Sequence, residues 1–195
     1  MFRFLQGDKM TAAKIICFDF RSDFAGVATI DSSWWEVADE RGSQWVFDNF
    51  GKYQMPEWRV CGGYFENIPL AAIAAPKPEN LVVNAYCAED ADIEVIEQCY
   101  DIRDIFSLPG RPTLKDLMDS GYVELGYDIC SRNLEISYLY TYEPTDFTKS
   151  IKLNSVGLLD TREQCLDIIR SEYFYFHDET AFIPVKIISS GVVKT

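Results

Sequence analysis

A period-two pattern of apolar residues over positions 121–142 constrains the fold more than any other stretch. The first arm has apolar side chains at every second position, namely Val123, Leu125, Tyr127 and Ile129. After a polar turn at 131–133, the alternation resumes at Leu134, Ile136, Tyr138, Tyr140 and Tyr142. Two alternating arms joined by a short polar turn are typical of an antiparallel hairpin with one apolar face. Because such a hairpin is not stable alone in water, other elements must cover that face.

The rest of the chain mixes strand and helix patterns. Strands are predicted at 14–20, 26–30, 59–65, 81–87, 150–156 and 182–189, where β-branched and aromatic residues cluster. Pro184 has no N–H to donate, which favours an edge or bulged position for the last strand. Helices are predicted at 34–40, 90–106, 113–120 and 161–174. We therefore expect an α+β fold, a mainly antiparallel sheet with the central hairpin (about 121–142) covered by helices.

Two of the predicted helices have recognisable ends. Pro112 fits the first turn of the helix at 113–120, and Gly121 fits its C-terminal cap. Asp160 and Glu163 form a capping-box-like D-x-x-E at the start of the helix at 161–174. This last helix is predicted to lie across the hairpin.

The length of 195 residues favours one domain over two. Glycine and proline punctuate residues 41–78, which we interpret as a loop-rich, insertion-like region within a single domain spanning residues 1–195. With 48% hydrophobic residues, the chain can bury a sizeable core.

The chain is strongly acidic, with 31 acidic against 18 basic residues and a formal net charge of −13. A negative exterior repels nucleic acid and anionic membrane surfaces, so neither is an expected partner. It favours a basic protein partner and speeds encounter with it. The alternative is that the charge serves only to keep the protein soluble.

Acidic residues recur at helical spacing in the segment 90–106. Asp90, Glu94, Glu97, Asp101 and Asp104 follow one another at intervals of four and three. In one continuous helix they would form a single stripe, directed away from a core stripe of Val95, Cys99, Ile102 and Phe106. We predict that this acidic stripe binds the partner.

Aromatic residues supply further candidate contacts. Trp34 and Trp35 are adjacent, so they cannot easily both face the core, and at least one is a candidate for exposure. Tyr138 and Tyr140 lie on the second arm of the hairpin and either pack within the sheet or contact a partner, since tyrosine is favoured in both places. We include all four with the partner-binding residues.

Motifs for catalysis, cofactors and metals are sparse. His177 is the one histidine, the six cysteines contain no CxxC pair, and neither a P-loop nor GxGxxG occurs. No catalytic residue, cofactor or metal is predicted, which favours a protein that is not an enzyme. One alternative is a metal-dependent phosphoryl-transfer or hydrolase-type enzyme using Asp19 and Asp31. A structural or adaptor subunit is the other.

The sequence also bears on where the protein works. The apolar cluster near the N-terminus is too short for a signal peptide, and the longest apolar run, 68–75, is too short to span a membrane. Cysteines in apolar stretches suit a reducing compartment. We expect a soluble cytoplasmic protein.

The segment Leu125–Leu139 (LGYDICSRNLEISYL) resembles one found in some bacterial immunity proteins of polymorphic toxins. The shared feature is Gly126-Tyr127-Asp128 entering a turn that returns through an aliphatic strand. The resemblance implies a small, cytoplasmic, acidic protein, monomeric or dimeric alone, without chemistry of its own. Such a protein binds and neutralises a cognate toxin, often a basic nuclease, by blocking its active site or substrate groove.

Overall fold

The computed structural model describes residues 13–22, 45, 48–49, 59–61, 64–77, 81–97, 103–131, 150–171 and 182–191. Its strands are β1 Ala13–Ser22, β2 Arg59–Cys61, β3 Tyr64–Asn67, β4 Leu81–Glu89, β5 Val123–Ser131 and β6 Phe182–Ser189. They form one sheet in the order β2-β3-β1-β4-β6-β5, and each neighbouring pair is antiparallel. With the helices packed on it, this sheet confirms the predicted α+β fold.

Five helices have described bounds, and they are short. They are α1 Leu70–Ala74, α2 Asp90–Glu97, α3 Arg103–Phe106, α4 Leu114–Asp119 and α5 Arg162–Arg170. Within the described part of the chain, no helix is long and apolar enough to cross a membrane.

Both faces of the sheet are covered. The first face, which we call the cleft face, packs Phe18, Ala85 and Ile188 against Ala72 and Ile73 of α1 and Leu117 of α4. The opposite face packs Ile16, Tyr86, Val185 and Ile187 against Ile93 and Ile96 of α2 and Ile105 of α3. Because β4 lies under both layers, its residues 81–88 are all buried.

A β-bulge in β1 is stabilised from outside the sheet. The pairing of β1 with β4 shifts between Ile15 and Cys17, so that the consecutive residues Ile16 and Cys17 pack on the same face of the sheet, between Ile15 and Phe18 on the other. The Arg111 guanidinium donates a hydrogen bond to the carbonyl oxygen of Ile15, and it lies 5.7 Å from the ring centre of Phe18. Arg111 thus bonds to backbone at the irregular position of the strand.

The first arm of the predicted hairpin is β5, and it pairs with β6. The return arm after Ser131 lies outside the described residues. Helix α5, which was predicted to lie across the hairpin, packs Cys165 and Ile168 against Ile129 of this first arm.

The prediction of a strand at 150–156 is wrong. That segment is irregular and ends in a turn, and among the described residues the only pairing near it is an isolated bridge between Tyr127 and Leu159. Asn154 organises the turn, because its side-chain oxygen accepts from the N–H groups of Val156 and Leu158. Its amide nitrogen donates to the carbonyl oxygen of Leu125, which joins the turn to β5.

Strand β6 has the predicted bounds, but over Lys186–Ser189 it is not the edge or bulged strand that was predicted, since it pairs there with both β4 and β5. The effect of Pro184 is local. The pairing of β4 with β6 covers only Lys186–Ser189, so Pro184 lies in the half of β6 that pairs with β5 alone. Its missing N–H therefore removes no bond to β4.

Helix ends match the sequence closely but not everywhere. Thr113 caps α4, and Gly121, with φ +86°, follows its C-terminal end as predicted. The N–H of Tyr122 bonds to the Leu117 carbonyl and that of Gly121 to the Met118 carbonyl, which is a Schellman motif. The predicted cap of α5 is wrong by one residue, because Thr161 and Gln164 form its capping box rather than Asp160 and Glu163.

The predicted helix at 90–106 is described in two pieces, α2 and α3, with 98–102 outside the described residues. Its predicted core face is only partly right. Ile93 and Ile96 are buried, whereas Val95 is half-buried. The region 41–78, predicted to be loop-rich with a strand at 59–65, contains the paired strands β2 and β3 in place of that single strand, as well as α1.

The Tyr127–Leu159 bridge depends on a glycine. Gly126 has φ +138°, and a Cβ there would lie 2.6 Å from the Leu159 carbonyl oxygen and 3.0 Å from Leu158 Cβ. Gly126→Ala should lower the free energy of unfolding by roughly 2–4 kcal/mol, because backbone strain and overlap act together. Urea denaturation followed by tryptophan fluorescence measures the change.

Gly121→Ala is the matched control, since Gly121 also has a positive φ but nothing lies within 4 Å of its Cβ position. Gly121→Ala should lower the free energy of unfolding by about 1 kcal/mol, because only backbone strain acts there. Equal losses in the two variants would contradict a role for the close approach to Leu159.

Candidate functional site

A cleft of about 610 Å³ opens on the cleft face of the sheet. Its floor is formed by β4, β6 and β5, and its two walls are α4 and the first residues of α5. Cys87, Lys186 and Tyr127 occupy paired positions on these three strands, so their side chains lie in one row across the floor. We take this cleft as the candidate site because helices and sheet from four parts of the chain converge on it.

Lys186 is the charged residue in the middle of the floor. Its Nζ donates to Glu124 Oε2 at 2.9 Å and lies 5.3 Å from the ring centre of Tyr127. Burial disfavours the charge on Lys186, but hydrogen bonds to Glu124 and Tyr127 outweigh it and raise the pKa of the amine. Lys186 is therefore protonated at neutral pH.

Arg162, the first residue of α5, forms the far end of the cleft. Its Nη2 donates to both carboxylate oxygens of Asp92, at 2.9 and 2.8 Å, and its Nε lies 3.3 Å from Glu89 Oε2. Asp92 and Arg162 are mostly enclosed, with side chains 10% and 19% exposed. This ion pair connects α5 to the end of β4 and the start of α2.

The lining of the cleft is acidic. It contains two basic residues, Arg162 and Lys186, and five acidic ones, Glu89, Asp92, Glu124, Asp160 and Glu163. The remaining wall is apolar, with Leu114 and Met118 from α4. A cationic ligand with an apolar portion matches this lining, whereas an anion would meet an excess of carboxylates.

The nucleophiles in the cleft are not activated. Burial raises the pKa of the Cys87 thiol to about 12, which leaves it protonated at neutral pH. Burial also raises the pKa of Tyr127, and Lys186 stays an ammonium because its hydrogen bonds to Glu124 and Tyr127 raise its pKa. A thiol, a phenol and an amine that all keep their protons are suited to contact a ligand rather than to attack it.

The predicted acidic stripe lies next to the cleft in part. Asp90 is exposed and forms an ion pair with Lys14 at 2.8 Å. Glu94 is exposed and Glu97 is half-exposed on α2. The sequence Glu89-Asp90-Ala91-Asp92 joins the two regions, because its first and last residues line the cleft. Asp101 and the side chain of Asp104 lie outside the described residues.

Trp34, Trp35, Tyr138 and Tyr140 all lie outside the described residues, and they stay predictions. Conversely, Lys186, Glu124, Arg162 and Asp92 were not selected from sequence. The one sequence signal for any of them is Lys186, a single charge inside the apolar strand FIPVKIIS.

Of the two aspartates proposed as metal ligands, Asp19 and Asp31, the structure describes only Asp19. Asp19 is buried, and its Oδ2 accepts a hydrogen bond from the Tyr86 hydroxyl at 2.7 Å. Asp31 lies outside the described residues. Among the side chains that are described, no three of the His, Cys, Asp and Glu residues are grouped so as to hold a metal ion.

Comparison of the chain with protein-family models, with curated proteins and with solved structures finds no significant match.

Arg162 offers a test of how the cleft is held together. Arg162→Met should lower the free energy of unfolding at pH 7 by about 2 kcal/mol, because enclosed Asp92 loses its charged hydrogen-bond partner. Arg170→Met on the same helix is the control, since Arg170 is 70% exposed and its ion pair among the described residues, with Asp167, is long at 3.8 Å. It should change stability little.

The loss of stability in Arg162→Met should also depend on pH. Burial raises the pKa of Asp92 above its ordinary value of 3.8, and Arg162 lowers it back only in part. The folded protein therefore protonates Asp92 at a higher pH than the unfolded chain does, and protonated Asp92 needs no cation. The difference in free energy of unfolding between wild type and Arg162→Met should therefore be largest at neutral pH and shrink as the pH falls towards 4. A difference that grows on acidification would contradict this account.

Proposed function

We propose that this chain is a non-catalytic acidic protein that binds and neutralises a basic protein, in the manner of an immunity protein acting on its toxin. The observation behind the proposal is the acidic cleft, whose lysine, tyrosine and cysteine all retain their protons. A cleft of this kind binds ligands through charge and apolar contact without covalent chemistry.

The acids of α2 support the same function. Neither Glu94 nor Glu97 forms an ion pair among the described residues, and α2 has no basic residue in its last turn. Like charges at this spacing disfavour an isolated helix slightly, so they do not serve helix stability. With the net charge of −13, they favour fast encounter with a positively charged surface.

The resemblance over Leu125–Leu139 agrees with this proposal. Its part in β5 includes Gly126 and Tyr127, which respectively permit the bridge to Leu159 and line the cleft. Blocking the active site or substrate groove of a basic nuclease requires a complementary acidic surface, because that groove attracts phosphates. Bulk acidity for solubility alone does not account for a defined acidic cleft.

Capture and co-expression test the proposal together. The purified chain, immobilised and exposed to a lysate of its source organism, should retain a basic protein in a one-to-one complex. Expressed alone, that protein should inhibit growth, and co-expression of this chain should restore growth. Retention of an acidic partner, or growth inhibition that co-expression does not relieve, would refute the proposal.

The contribution of α2 can be measured on the same complex. Glu94→Lys with Glu97→Lys should slow association by about tenfold or more at low salt, since steering depends on surface charge. Asp119→Lys with Asp167→Lys is the control, because it changes the net charge equally at exposed positions on other helices. Stopped-flow association rates at several salt concentrations give the comparison, and equal slowing in both variants would remove α2 from the interface.

A further inference from the structure

The charges in the cleft are not all neutralised within the protein. Lys186 pairs with Glu124, and Arg162 pairs with Asp92 and Glu89. Asp160 and Glu163, at the start of α5, are exposed and form no ion pair among the described residues. The capping box of α5 uses Thr161 and Gln164 instead, so both carboxylates remain available to a ligand.

An apolar surface faces these carboxylates across the cleft. Met118 of α4 is 48% exposed, although large apolar side chains are mostly buried elsewhere in the described structure. Leu114, one turn earlier on α4, is half-buried beside it and lines the same cleft. A ligand between α4 and α5 therefore meets methyl and methylene groups on one side and negative charge on the other.

Arginine and lysine side chains have this combination of groups. Each has a methylene stem that packs on apolar surface and a charged end that seeks carboxylates. Lys186 already shows the arrangement inside the cleft, with its Nζ near both Glu124 and the Tyr127 ring. Arginine suits a site with more than one carboxylate better, because its planar guanidinium has five N–H donors.

An anionic ligand at the start of α5 fits the structure less well. The Arg162 guanidinium is already bonded to Asp92. Among the first backbone N–H groups, those of Asp160 and Thr161 donate to Gln164 Oε1, and that of Gln164 donates to Thr161 Oγ1. Few donors remain for an anion, and the lining of the cleft holds five carboxylates against two cations.

We infer that the cleft binds an arginine side chain from an extended, apolar-flanked segment of the partner. Its guanidinium contacts Asp160 and Glu163, and its flanking apolar residues pack on Met118 and Leu114. This inference rests on the proposed function, because it names the chemistry by which the basic partner would enter the cleft.

The test uses a defined peptide, so that the natural partner is not needed. Acetyl-Ala-Leu-Arg-Leu-Ala-amide is titrated into the full chain carrying ¹³C-methyl methionine, and the Met118 signal is assigned by its loss in Met118→Leu. Binding should shift the Met118 signal saturably and weaken as salt is raised. The same peptide with glutamate in place of arginine should leave the signal unmoved, and one with lysine should bind more weakly.

Variants tie the binding to the two carboxylates. Asp160→Asn with Glu163→Gln should weaken binding of the arginine peptide by roughly five- to tenfold, the effect of losing exposed charge-assisted contacts. Asp119→Asn with Asp167→Asn, outside the cleft, is the matched control and should leave binding unchanged. Circular dichroism verifies that each variant is folded.

Three results would overturn the inference. They are an unmoved Met118 signal at millimolar arginine peptide, an equal shift with the glutamate peptide, and unchanged binding in Asp160→Asn with Glu163→Gln. The proposed function is tested separately by capture and co-expression. If a captured basic partner bound Asp160→Asn with Glu163→Gln as tightly as wild type, the proposed function would still hold. The inference that the cleft binds an arginine of that partner would then be wrong.

Discussion

The burial of β4 on both faces is the constraint on which the rest of the structure depends. Residues 81–88 have no exposed side, so the sheet needs a layer of cover above and below its central strands. Helices α1, α4 and α5 supply one layer, and α2, α3 and the turn at 156–158 supply the other. Each helix is short, and none could be stable outside this packing.

The cleft occurs where one of these layers is incomplete. Helices α4 and α5 both pack on the cleft face, but α5 packs on β5 and β6 while α4 packs over Phe18 and Tyr122. Between them the sheet floor is exposed to a ligand, and the side chain at its centre is a lysine rather than an aliphatic residue. The polar character of the cleft thus follows from the gap between its walls.

Much of the fold could be predicted locally. The apolar runs of β1, β4 and β6 predict strands directly, and Thr113 and Gly121 mark the ends of α4. The N-terminal cap of α5 was harder to predict, because two overlapping patterns, D-x-x-E and T-x-x-Q, start one residue apart and either suits a capping box. The structure uses the second, and only three-dimensional geometry decides between them.

The cleft could not be predicted in the same way, because its parts are distant in sequence. Asp92 and Arg162 are separated by 70 positions, so their ion pair leaves no local pattern in the sequence. Helical spacing alone did not predict that Asp92 is buried. The row of Cys87, Lys186 and Tyr127 exists only because β6 lies between β4 and β5. Pairing between non-consecutive strands leaves no short-range pattern, so the acidic stripe was the only candidate surface that spacing could indicate.

Lys186 has a further consequence for how β6 finds its place in the sheet. Both faces of β6 are largely apolar, so hydrophobic alternation specifies its alignment only weakly. A slip by one residue would move the ammonium group from beside Glu124 to the opposite face, among Tyr86 and Ile16. An unpaired ammonium buried there would be strongly disfavoured. One charge in the middle strand therefore selects a single alignment of β6 from the neighbouring ones.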